Sequence, residues 1–84
     1  MPAFTVTNLE VMMTACTGGE QVYRLVEGEL DVTFPDLSFD SLAVLELATR
    51  IQEGLMVPFP DEAVERMRTP RDVLDYVKAG LAVV

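Results

Sequence analysis

The stretch with the clearest chemical potential is Phe39-Asp40-Ser41-Leu42, a serine with an aspartate directly before it, placed where a long aperiodic segment meets the most regular helical pattern of the chain. Two readings of this junction stand side by side. Ser and Asp are favoured helix N-caps, so one of them closes the helix and does nothing more. Alternatively, the junction is an anchoring point: free backbone N–H groups and the helix dipole favour an anion there, and a serine hydroxyl suits a phosphodiester. Three features weigh toward anchoring. The aperiodic segment leads straight to this point, the following helix carries more apolar surface than one core seam needs, and the chain offers no other reactive constellation.

The rest of the composition removes competing chemistry. The 84 residues include no histidine and a single cysteine, Cys16. Without histidine there is no usual neutral-pH general base, no Ser-His-Asp or Cys-His arrangement and no histidine-based zinc site. One cysteine excludes an internal disulfide and a cysteine-held zinc or iron–sulfur cluster, and it fits a reducing compartment. Cys16 itself reads as a small buried apolar side chain. No catalytic residue and no metal ligand is therefore assigned, which leaves function to a surface or an attachment. A chain of this length buries only roughly 60–65% of its unfolded surface, enough for one modest core. A single domain over residues 1–84 is expected, with no reason to expect an oligomer.

Charge narrows the partners. The formal net charge is −8, which repels phosphate backbones and anionic membrane surfaces and makes basic protein surfaces the natural complement. Residues 1–48 carry eight acids against one arginine, whereas residues 49–84 carry six acids against five bases, so the negative field originates in the first half. No segment approaches the ~18 consecutive apolar residues of a membrane span. The start of the chain lacks the basic-then-apolar pattern of a secretory signal, and a cytoplasmic location is expected.

Helices must position the serine. Thr7-Asn8-Leu9-Glu10 fits a capping box, with Val6 and Val11 as a hydrophobic staple. Leu9, Met12, Met13 and Cys16 then share one helical face, and Gly18-Gly19 stop the helix. Residues 20–40 show no sustained period. A connection of that length in a small domain is usually functional or packed by its own side chains, with room for a short helical turn. Ser41 to about Glu53 is the clearest helix. Leu42, Leu45, Thr49 and Gln52 lie along one edge; Val44, Leu47, Ala48, Ile51 and Leu55 lie along another. Glu46 and Arg50 stand in the favourable acid-then-base order. Gly54, Pro58 and Pro60 end it. Residues 61–67 read as a short helix with acids in its first turn. Thr69-Pro70-Arg71-Asp72 is a strong start signal for a last helix with Val73, Leu74, Val77 and Leu81 as its core face and Gly80 at its end. The expected fold is all-α: a small four-helix up-down bundle, three helices long and one short, with a long first loop.

Asp36-Leu37-Ser38-Phe39-Asp40-Ser41-Leu42 resembles the D-L-G-x-D-S-L attachment motif of acyl carrier proteins. Residues 39–52 resemble the second helix of the freestanding carriers of type II (aromatic) polyketide synthases. Val57-Pro58-Phe59-Pro60-Asp61-Glu62 resembles the family's approach to its third helix, and Thr69-Pro70-Arg71-Asp72-Val73-Leu74-Asp75 the start of its fourth. The D-S-L triplet alone is a weak signal; four motifs in order over nearly the whole chain are a strong one. Ala43 after that triplet, and Arg50 later, stand closer to the polyketide than to the fatty-acid pattern. One departure is Ser38, where the family usually has glycine; if that backbone needs φ > 0, serine is strained there.

The resemblance implies a carrier rather than an enzyme, with a 4′-phosphopantetheine arm from coenzyme A on Ser41 and acyl and poly-β-keto thioesters presented to other enzymes. It implies a docking face of Asp40, Leu42, Leu45, Glu46 and Glu53 on the second helix. The implied partners are a phosphopantetheinyl transferase, a ketosynthase with its chain-length factor and a malonyl transferase, with a ketoreductase or cyclase as further candidates. Two alternatives remain open: a carrier of fatty-acid or another acyl pathway, and an unmodified acidic helical interaction module.

Overall fold

The computed structural model describes residues 4–19, 22–25 and 28–82. Four α-helices follow in order: α1 (Val6–Cys16), α2 (Ser41–Leu55), α3 (Asp61–Arg66) and α4 (Pro70–Ala82). No strand occurs among the described residues. The connection between α1 and α2 contains two 3-10 turns, Glu29–Asp31 and Pro35–Leu37. The expected all-α bundle with three long helices and one short is what forms, with α1 packed on α2 and α4, and α3 on α2.

Each helix forms for local reasons that mostly match the sequence pattern. α1 differs at its start. Thr5, not Thr7, is the N-cap: its side chain accepts from the Asn8 N–H, and the Asn8 side chain accepts from the Thr5 N–H at 3.0 Å. Val6 and Val11 therefore do not form a staple; Val6 is the first helical residue and Val11 points to solvent. Phe4, buried just upstream, ties this entry into the core instead. Gly18 and Gly19 end the helix at φ 69° and 82°, conformations that suit glycine. At α4, Thr69 and Asp72 close a reciprocal box. The Asp72 N–H donates to Thr69 Oγ1, and the Thr69 and Arg68 N–H groups donate to Asp72 Oδ2.

Two termini fall elsewhere than the glycines suggest. α2 runs through Gly54 and ends at Leu55, with Met56 in the left-handed conformation (φ 58°) as its cap. Gly80 does not end α4, which continues to Ala82. Its reason is packing: a Cβ at Gly80 would lie 2.7 Å from Val57 Cγ1. The loop after α2 is pinned to α4 by the Tyr76 hydroxyl, which donates to the Pro58 carbonyl at 2.6 Å, and by the Phe59 and Tyr76 rings, 4.5 Å apart.

The core joins Leu9 and Met13 of α1 to Val44, Leu47, Ala48 and Ile51 of α2 and to Val73, Leu74 and Val77 of α4. The long connection is packed by its own side chains, as its length suggested: Tyr23, Leu25, Phe34 and Phe39 are all buried. Its backbone is tied at several points. The Tyr23 N–H donates to Thr14 Oγ1, the Leu25 N–H to the Glu10 carboxylate, and the Phe34 N–H to the Arg68 carbonyl at 2.9 Å. An Arg71–Asp31 ion pair adds an exposed tie to α4.

Candidate functional site

The start of α2 separates the two readings of Asp40 and Ser41. Asp40 is the cap: its backbone is extended (φ −75°, ψ 177°) and its carboxylate accepts from the Ala43 N–H at 2.8 Å. Ser41 is the first helical residue, exposed, and its hydroxyl makes no hydrogen bond among the described residues. The capping role is thus filled without it, which leaves its oxygen available for bond formation.

The approach to Ser41 is a tight, well-anchored turn. The Ser38 N–H donates to the Pro35 carbonyl and the Phe39 N–H to the Phe34 carbonyl. Phe39 is fully buried, its ring 5.4 Å from both Tyr23 and Phe34. Ser38, which stands where the attachment motif usually has glycine, has φ 60° and ψ 34°, the left-handed conformation. Sterics disfavour it for a residue with a Cβ.

Beside Ser41 opens a cleft of about 490 Å³. Its walls are mainly apolar: Phe34, Phe39 and Val44 on one side, Val64 and Met67 on the other, with Ser41, Glu65 and Arg68 also lining it. That size and character suit an apolar ligand with a few polar groups. A group joined to Ser41 would have this shelter next to it. The exposed hydroxyl at a helix start, the free α2 N–H groups and the neighbouring cleft together fit a phosphate-linked arm.

The expected docking residues fall into two groups. Asp40, Leu42 and Glu46 border one shallow groove with Cys16 and Ala43. Leu42 is 76% exposed and Leu45 46%, large values for leucine on a helix whose other face is fully packed. The surplus apolar surface of α2 is therefore solvent-facing rather than a second core contact. Glu53 is exposed but stands twelve residues along the helix from Ser41, about 18 Å away at 1.5 Å per residue. It neighbours Met56, which is 83% exposed and lines a surface hollow with Glu53, Pro58 and Phe59. The structure thus brings four of the five residues together near Ser41 and leaves Glu53 at the far end.

Arg50 pairs with Glu46 at 3.2 Å, the ordering their spacing favoured. Cys16 is half-buried rather than buried, at the end of α1 facing that pair. Burial pushes its thiol up from its ordinary value, with the Arg50 charge opposing, so it stays largely protonated. No sequence pattern marks Arg68 or Tyr23 as functional. A tyrosine in an aperiodic segment was the available signal for the last, since a buried phenol needs a partner for its hydroxyl.

Comparison with known proteins agrees with this geometry. Residues 20–77 match the family described as a phosphopantetheine attachment site. The granaticin polyketide synthase acyl carrier protein of Streptomyces violaceoruber is 37% identical over 82 residues, covering 98% of this chain and 96% of the relative. The actinorhodin polyketide synthase acyl carrier protein of Streptomyces coelicolor is 35% identical over 78 residues, 93% of this chain and 91% of the relative. The solved actinorhodin holo acyl carrier protein superimposes with a TM-score of 0.84 at 32% identity, covering 96% of this chain and 94% of that one. The oxytetracycline acyl carrier protein does so with a TM-score of 0.82 at 34% identity, over 96% and 85%. No helix among the described residues is long and apolar enough to cross a membrane. Phosphopantetheine attachment, a non-catalytic carrier role and this four-helix architecture come together in one group, and the chain belongs to the acyl carrier protein family.

Proposed function

We propose that Ser41 is the attachment point and that the chain carries polyketide intermediates for a type II polyketide synthase. The observation that carries the reading is the exposed Ser41 hydroxyl at the first position of α2, without a hydrogen bond among the described residues because Asp40 supplies the cap. In the modification, Ser41 Oγ loses its proton and bonds to the phosphorus of the phosphopantetheine half of coenzyme A, and adenosine 3′,5′-bisphosphate leaves. The arm, once in place, supplies a terminal thiol that holds an acyl group as a thioester. The chain's own residues do the rest. The α2 N–H groups and dipole would stabilise the phosphodiester, the apolar walls beside Ser41 would shelter the arm from water, and the anchored turn before Asp40 would fix where it starts.

The docking reading places Asp40 and Glu46 opposite basic side chains of the partners, with Leu42 and Leu45 as the apolar contact. The partners proposed are a phosphopantetheinyl transferase, a ketosynthase with its chain-length factor, and a malonyl transferase, with a ketoreductase or cyclase in pathways that use one. We further infer a single carrier unit over residues 1–84, monomeric and cytoplasmic. The decisive experiment incubates the chain with coenzyme A and a broad-specificity phosphopantetheinyl transferase and reads intact mass. One arm on the wild type and none on Ser41→Ala is expected. An unmodified wild type, or a modified Ser41→Ala, overturns the reading.

A further inference from the structure

Tyr23 links α1 to the turn that delivers Ser41. Its backbone N–H donates to Thr14 Oγ1 of α1 at 3.1 Å, which seats the residue on that helix. Its side chain is buried, and its ring meets Phe39 edge to face at 5.4 Å and 90°. Its hydroxyl donates to the Ser38 carbonyl at 3.2 Å. Ser38 is in the left-handed conformation, three residues before Ser41.

The bonds made by the Ser38 and Phe39 N–H groups are local to the turn. The Tyr23 hydroxyl bond reaches Ser38 from a segment fifteen residues away. A carbonyl's direction follows its residue's backbone angles, so this donor is satisfied only while Ser38 keeps its disfavoured geometry. The hydroxyl thereby offsets the steric cost of serine at φ 60°. Burial pushes the phenol up from its ordinary value, and the nearby Asp40 carboxylate acts in the same direction. Tyr23 is therefore a protonated donor throughout the neutral range.

We propose that Tyr23 is a positioning residue for the modification of Ser41, its hydroxyl holding Ser38 left-handed so that the chain enters α2 in the form a phosphopantetheinyl transferase recognises. The proposal rests on Ser41 being the attachment point. A transferase that binds only the ordered turn sees its affinity reduced by the fraction of molecules that keep it. Loss of the hydroxyl thus raises KM for the carrier and leaves kcat unchanged, because Tyr23 touches no reacting atom.

The test uses Tyr23→Phe, which keeps the ring contact with Phe39 and removes only the hydroxyl, with initial rates of arm transfer read by mass. The expected result is a rise in KM of up to about fivefold, the ceiling set by loss of one hydrogen bond, with kcat constant and an unchanged helical circular-dichroism spectrum. In a Ser38→Gly background the same substitution is expected to shift KM less than twofold, because glycine adopts the left-handed conformation without help. A Tyr23→Phe protein with wild-type KM overturns the proposal. So does a KM rise that persists undiminished with Ser38→Gly, or a loss confined to kcat. Should Ser41→Ala still accept the arm, the attachment reading fails by that separate measurement; should Ser41→Ala block transfer while Tyr23→Phe changes nothing, only the positioning role fails.

Discussion

At Ser38 the backbone takes a shape that a Cβ disfavours by about 1 kcal/mol or more. Ser38→Gly is therefore expected to stabilise the fold by about 0.5–1 kcal/mol, a rise in Tm of a few degrees in a thermal melt. Two residues on, Asp40 combines a cap with a charge, and the two are separable. Asp40→Asn keeps a capping side chain and should melt near the wild type, whereas Asp40→Ala should lose about 1 kcal/mol. If Asp40 also serves docking, Asp40→Asn weakens partner binding while leaving the melt unchanged; equal binding by wild type and Asn would confine Asp40 to the cap. Much at this scale was legible in the sequence. Ser41 stands at a helix start because its neighbours are capping residues and the periodicity begins there. Tyr23 was not legible, since its partner lies fifteen residues away and no local pattern encodes a contact of that span. Thr5 and Thr7 illustrate a different limit: both begin a plausible capping box, and the choice falls to the buried Phe4 upstream, a tertiary fact.

Among the elements, α2 has two apolar faces with different duties. Leu47→Ala removes a core side chain and should cost roughly 2–5 kcal/mol in denaturant unfolding. Leu42→Ala, on the exposed face, should stay within about 0.5 kcal/mol of the wild type while slowing transfer to a synthase partner. A matching stability loss for both would assign Leu42 to the fold instead. Helix periodicity showed the two faces, the resemblance put Leu42 and Leu45 on the docking side, and that side is the one the bundle leaves exposed. Gly80 was less legible. A glycine near a helix end reads as a stop, yet here it admits Val57. Gly80→Ala is expected to cost about 1–3 kcal/mol. Combined with Val57→Ala, the loss should be less than the sum of the two single changes, measurable as a double-mutant cycle. Additive losses would mean that the two side chains do not meet.

For the whole molecule, the decisive quantity is the field. The net charge of −8 is sourced largely in the first half of the chain, with exposed Asp40 and Glu46 at the start of α2, in a particle 34 × 25 × 22 Å in extent; on the proposed docking reading this field draws basic partners to that end of α2. Steering of this kind weakens as salt shortens the Debye length from about 10 Å at 0.1 M to about 3 Å at 1 M. Association rates with synthase partners should accordingly fall steeply with salt in stopped-flow measurements, with dissociation rates changing less. A salt-independent association rate would remove the acidic face from recognition.

The Phe34 N–H bond to the Arg68 carbonyl bears on when, during the life of the molecule, the serine becomes usable. The turn before Ser41 is fastened to a backbone group made 27 residues after that serine. A chain still emerging from the ribosome, with Ser41 already outside and residue 68 still in the tunnel, has the motif but not the clasp that shapes it. Arm loading should then follow emergence of Arg68, and ribosome-bound chains stalled with Ser41 outside the tunnel and residue 68 still inside it should accept little label from tagged coenzyme A. The fold would in this way restrict arm transfer to carriers whose turn is already clasped.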